Sequence, residues 1–280
     1  MLHYEFMRLA FLVGILLGLA LPLVGSTAVF KRLSASGDAL AHASLAGVVI
    51  GLVAGMNPLW VSLIACIVSL LIIEWVRRRF NKYAELSVTV VLCLAVALAG
   101  VLSGYVTSGN IDSYLFGSLL LVDWTEIILA AVLFVLTIAF YLVFHQQIFA
   151  TIYHESEAKA QGVPTNFIQI AHAILFAVAI AISAKTIGSL VVSSLVAIPV
   201  ATALQARTSY RKTLLLSMGV SLVAVIVGIS FSYLWDWRPG ASVALCSVCL
   251  LLLFILARFV GNWIKKKRAL RASSIHRDTK

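Results

Sequence analysis

Long apolar stretches separated by brief polar breaks fill this chain. Nine can be drawn, at 7–30, 38–56, 59–76, 86–106, 125–144, 167–184, 186–204, 213–234 and 241–260. A helix needs roughly 20 apolar residues to cross the hydrocarbon core of a bilayer, and these stretches are of that order. Asn57-Pro58 divides the second from the third, and Lys185-Thr186-Ile187-Gly188 makes a very tight break between the sixth and seventh. Residues 110–123 are semi-apolar and too short to span, so they read as a short helix tucked against the bundle. The first stretch is too long for a signal-peptide core and lacks a small-residue cleavage site, so it reads as a retained helix. Its glycines, Gly14, Gly18 and Gly25, read as points of close helix packing. The expected fold is an all-α polytopic membrane protein of about nine transmembrane helices, with eight to ten as the bracket.

Composition agrees. Of 280 residues, 62% are hydrophobic and 11% charged, with a mean hydropathy of +1.05. A soluble domain carries about 25% charged residues. The net charge of +10 invites a nucleic-acid reading, but the basic residues lie in short loops and a tail between apolar runs, which is the pattern of membrane topology. With the C-terminus in the cytoplasm and nine helices threaded back, 17 of the 21 basic residues fall inside. Arg8, Lys185 and Arg238 fall outside, and Arg258 sits at the inner end of the last helix. The N-terminus is then outside; a count of eight or ten would move it and leave the C-terminus alone. Trp235 and Trp237 read as an outer interfacial belt, and the cluster from Lys265 to Arg271 as a cytoplasmic anchor touching anionic lipid. The organisation is one permease-like membrane domain, 1–262, and a basic tail, 263–280. Cys66, Cys93, Cys246 and Cys249 all lie in apolar runs and read as packing residues.

One position carries chemistry. The run 37–47 reads GDALAHASLAG and opens the second stretch. A carboxylate in hydrocarbon is costly and usually marks an ion or substrate path. His42 follows Asp38 by four residues and therefore shares its helix face. One hard oxygen and one imidazole make half of a first-row transition-metal site. The competing reading is a helix cap, with Ser34, Ser36 or Asp38 capping the second helix. Glu74 and Glu126 lie at the ends of apolar segments, where water is near. His172, on the sixth stretch, is either a third ligand or a hydrogen-bonded packing histidine. His145 and His154 read as surface residues.

A second segment stands out. Residues from about 145 to 165 form an inside loop longer than a plain helix connection requires. Within it, about 152–164, an acidic start, alanines, then Gly162 and Pro164 describe a short helix lying outside the bilayer. It is suited either to docking a soluble partner or to no partner at all. The chain has no P-loop motif, no Ser-His-Asp set and no HExxH. It reads as a transport subunit rather than an enzyme. A stand-alone secondary cation transporter is the rival, but more intramembrane acids are expected for ion coupling.

The run at 37–47, the segment IDSYLFGSLL at 111–120, the segment IGSLVVSSLVAIPVATA at 187–203 and Arg238-Pro239-Gly240 stand in order along the chain. Together they resemble the permease subunit of the bacterial high-affinity zinc and manganese ABC importers, over about 7–260, and most resemble the zinc branch. Ala46 and Val200 depart from the residues usual in that family, proline and alanine. The resemblance implies a bundle like that of the vitamin B12 importer. It implies two permease copies, two cytoplasmic ABC ATPase subunits and an extracytoplasmic metal-binding protein, with no nucleic acid and no resident cofactor. It implies that Asp38 and His42 form the site for transported Zn2+ (or Mn2+) in a bacterial plasma (inner) membrane. It further implies that Glu157, Ala158 and Gly162 belong to a coupling helix that seats on the ATPase.

Overall fold

Several of the polar breaks become helix ends in the computed structural model of the protein, which describes residues 5–31, 33–79, 84–106, 114, 115, 117 and 124–278. The helices are α1 (Glu5–Phe30), α2 (Ala35–Val53), α3 (Pro58–Arg79), α4 (Ala84–Ser103), α5 (Trp124–Tyr153), α6 (Glu155–Ala160), α7 (Thr165–Thr186), α8 (Ser189–Leu204), α9 (Tyr210–Trp235) and α10 (Pro239–Asp278). Among the described residues there is no strand. Asn57 caps α3 by accepting the Leu59 N–H at 3.0 Å, and Pro58 takes the first helical position, where its missing N–H costs nothing. Gly188, at φ 100°, makes the turn between α7 and α8. Asp236, in the left-handed conformation, ends α9 just before Pro239 opens α10.

Eight of these helices are long and apolar enough to cross a membrane, and α8 is a shorter apolar ninth. At 16 residues it rises about 24 Å. The stretch expected at 186–204 is trimmed because Ile187 and Gly188 are spent on the turn. Most of the short piece expected at 110–123 lies outside the described residues; Tyr114 and Leu115 are helical. The tail expected from 263 continues the backbone of α10 as far as Asp278.

One boundary departs further from expectation. The fifth stretch, expected to end at 144, continues as helix to Tyr153. The polar letters of His145, Gln146 and Gln147 suggest a loop, but Ile148 beyond them is buried with Ile168, Tyr210 and Leu214, and Ile152 packs on the same cluster. Tertiary burial keeps the helix going, so the expected loop from 145 shrinks to the residues around α6.

Helices α1 and α2 are the most enclosed, while α3, α4, α5 and α10 turn much of their surface outward. On α1, Leu17, Leu21 and Val24 are fully buried. A methyl group at Gly25 would meet the Val196 carbonyl oxygen of α8 at 2.4 Å, so the two backbones touch there.

Side-chain bonds tie helix ends together at two levels. At one end Arg211 of α9 donates to His145 of α5 (3.2 Å), and Arg258 of α10 donates to Gln205, just past α8 (2.7 Å). The Phe30 ring meets Tyr153 and Tyr210 at this end. At the other, Lys185 of α7 pairs with Glu126 of α5 at 2.8 Å. The basic residues at 31, 207–212 and 258 thus share one end of the bundle with α6.

Candidate functional site

Asp38 is the fourth residue of α2, inside the helix rather than at its cap. Ser34 makes no capping bond, and the Ser36 hydroxyl donates back to the Leu33 carbonyl. The cap reading is therefore not realised by any of the three residues. The first turn of a helix favours a carboxylate, since unpaired N–H groups gather there. His42 lies one turn on, with its Nε2 3.8 Å from Asp38 Oδ1. The carboxylate is about half open, at 44% exposure, and the imidazole less so, at 21%. Oxygen and nitrogen ligands on one tetrahedral metal lie roughly 3.3 Å apart, given bonds of about 2.0–2.1 Å. A small side-chain rotation closes that difference.

The surroundings of the pair follow from the helix. The opposite face of α2 packs on α3, where the Cys66 thiol donates to the Leu40 carbonyl at 3.3 Å and a methyl at Gly47 would strike the Ser62 backbone. Gly37 lies against Val196 of α8 and Phe176 of α7. Ala43, Leu45 and Ala46 pack with Ala95 and Ala99 of α4 and with Tyr114 and Leu115. Asp38 and His42 point away from α3 and stay partly exposed, while Leu45 and Ala46, further along the same face, are closed by α4.

His172 is not brought together with them. Its Nε2 lies 3.0 Å from the Tyr141 hydroxyl of α5. Tyr141 in turn meets Thr27 at 3.0 Å and donates to the Leu23 carbonyl of α1. The imidazole serves as a polar clasp among three helices. Among the described residues, no group of three or more His, Cys, Asp or Glu is placed to hold a metal. Two other acids near helix ends are paired: Glu74 with Arg77 and Glu126 with Lys185. The four cysteines are free thiols, with Cys66 buried and Cys93 and Cys249 exposed.

The short helix α6 stands at the basic end, one residue after α5. Gly162 N–H bonds the Lys159 carbonyl and Val163 N–H the Ala158 carbonyl, with Gly162 at φ 80°. This is the glycine-terminated helix stop that the sequence predicts. Lys159 Nζ lies 2.7 Å from Glu155 and holds that carboxyl below its usual range. His154 stands 3.6 Å from Glu157. Glu157 and Gly162 are exposed, whereas Ala158 is buried and fastens the helix to the bundle. Sequence reasoning missed the Tyr141 clasp, because nothing local links the tyrosine to a histidine 31 residues away.

The family model described as the ABC 3 transport family matches residues 3–258. A probable metal transport system membrane protein of Treponema pallidum is 37% identical over 263 residues, covering 94% of this chain and 99% of that one. The high-affinity zinc uptake system membrane protein ZnuB of Haemophilus influenzae is 26% identical, covering 91% and 98%. The manganese transport system membrane protein MntC of Listeria monocytogenes is 24% identical, covering 96% of each. Among solved structures, PsaBC from Streptococcus pneumoniae in complex with Fab superposes with a TM-score of 0.80 at 22% identity, over 90% of this chain and 91% of that one.

Proposed function

Because the chain belongs to the ABC 3 transport family, we propose that it is the membrane-spanning permease subunit of an ATP-driven importer of a divalent transition metal, with zinc as the cargo. The observation that carries the reading is the Asp38–His42 pair: an oxygen and an imidazole nitrogen 3.8 Å apart, both partly exposed, on an otherwise enclosed helix. The metal-transport names of the similar proteins support the class of cargo. Zinc is favoured only by the resemblance of the run 37–47 to the zinc branch of the family. Manganese, named for the MntC relative, suits the same two ligand types and is the alternative.

Two protein ligands hold a metal weakly compared with a closed four-ligand site. Weak holding suits transport, since an ion bound tightly would not leave. The subunit works as one of two copies, with two cytoplasmic ATPases and an extracytoplasmic metal-binding protein. The basic end of the bundle faces the cytoplasm of a bacterial plasma membrane, with the N-terminus outside. The gathering of Arg207, Arg211, Lys212 and α6 at that end supports this orientation. There α6 presents Glu157 and the Gly162 turn to the ATPase, and nucleotide-driven movement of the ATPases rocks the two permease halves between outward- and inward-open states.

The test is reconstitution. The permease with its ATPase, in proteoliposomes with the metal-binding protein, is expected to accumulate zinc only when ATP is supplied. Uptake by the permease alone without ATP would replace this reading with that of a secondary cation transporter.

A further inference from the structure

At the basic end a cavity of about 130 Å³ opens between α1, α3, α5 and α7. Its walls are apolar, with Leu70 and Leu71 from α3 and Ile170 and Ile174 from α7. Leu71, Ile170 and Ile174 are also exposed on the outer surface, so the cavity communicates with the face that meets hydrocarbon. Its polar end is cationic: Lys31, just past α1, and Arg77, near the end of α3, both line it. Glu74 lines it as well and pairs with Arg77, so two cations face one carboxylate in the lining.

We propose that this cavity is a binding site for an anionic phospholipid, with the headgroup phosphate against Lys31 and Arg77 and an acyl chain along Leu71, Ile170 and Ile174. Burial, and then the Arg77 charge, hold the Lys31 ammonium below its ordinary range, while Glu155 and Glu74 act the other way and Lys159 adds to the repulsion. A phosphate there relieves the Lys31–Arg77 repulsion. With Glu74 opposing Lys31 and Arg77, the lining keeps a net positive charge, which disfavours a metal ion there. A zwitterionic headgroup would bring its own ammonium into the same cluster. Basic pockets between transmembrane helices on the cytoplasmic side take lipid headgroups for these reasons. The site does not depend on the cargo or on the ATPase.

The experiment equilibrates the full-length permease with equal amounts of phosphatidylglycerol and phosphatidylcholine in mixed micelles and counts retained lipid by native mass spectrometry. Phosphatidylglycerol is expected to be retained in preference. Lys31→Gln should cut that retention about fivefold, from roughly 1 kcal/mol per basic contact, while Lys212→Gln, away from the cavity, should leave it unchanged. Ala173→Leu, which fills the cavity without touching its charge, should lower retention of the lipid in the Lys31-containing protein as well. Equal retention of the two lipids, or wild-type retention by both Lys31→Gln and Ala173→Leu, overturns the proposal. So does displacement of the bound lipid by millimolar inorganic phosphate, which would make this a site for the free anion.

Discussion

The Tyr141 hydroxyl and the His172 imidazole meet at 3.0 Å across α5 and α7, and Tyr141 carries the link on to Thr27 and the backbone of α1. A histidine held this way contributes to packing rather than to cargo binding. His172→Gln and Tyr141→Phe should each cost about 1 kcal/mol of stability, the usual worth of a polar contact between membrane helices. Metal uptake per folded molecule should stay near wild type. Thermal unfolding of the purified variants beside uptake in cells separates the two effects; loss of uptake at full stability would restore His172 to the metal site.

Asp38→Ala and His42→Ala should each abolish metal uptake while leaving membrane insertion and ATPase binding intact. Both side chains are partly open and neither fills the core, so their removal leaves no large void. Radioactive zinc accumulation, with expression checked in membrane fractions, is the measurement. Wild-type accumulation by the double variant would sink the assignment.

The glycine stop of α6 should be sensitive to any side chain. Open space surrounds Gly162, so bulk alone is harmless there, but its φ of +80° is not. Gly162→Val should cost about 1–2 kcal/mol of local backbone strain and unseat α6. Glu157→Arg reverses an exposed charge without strain. Both should lower metal-stimulated ATP hydrolysis of the assembled importer, with metal binding at Asp38 and His42 unchanged. Normal hydrolysis in both variants would show that α6 does not couple.

At the other end of the bundle, Glu126→Ala should destabilise the protein by about 1–3 kcal/mol by leaving the Lys185 charge half-buried without its carboxylate. Adding Lys185→Met to it should recover most of the loss. Thermal unfolding midpoints in detergent test this, and additive losses in the double variant would mean that the pair is not coupled.

A deletion strain should regain growth on added zinc rather than added manganese. Rescue by manganese alone would make the cargo manganese.

Helix ends were legible in the sequence wherever one residue's own chemistry decided them: Asn57-Pro58, Gly188, Gly162, Pro239. The Asp38–His42 pair was legible because spacing of four is itself a helix property. What escaped was decided by distant partners. The end of α5 depends on Ile148 finding Tyr210 and Leu214. The role of His172 depends on a tyrosine in another helix. The burial of Ala158 depends on how α6 lies on the bundle, which no pattern of six residues can encode.

The placement of α6 has a mechanical consequence. It is spliced to α5 through His154 alone and to α7 through four residues, 161–164. Ala158 pins its underside, so α6 cannot slide as an independent piece. A push on its exposed face therefore enters two rods at once. One of them, α5, is 30 residues, or about 45 Å, long. The Tyr141–His172 clasp binds these rods partway along and hands the load to α1, which touches α8 backbone to backbone at Gly25. A thrust of an ångström or two delivered at one surface of the membrane would thus arrive at the wall beside Gly37, next to Asp38, through stiff helical members rather than through a flexible loop.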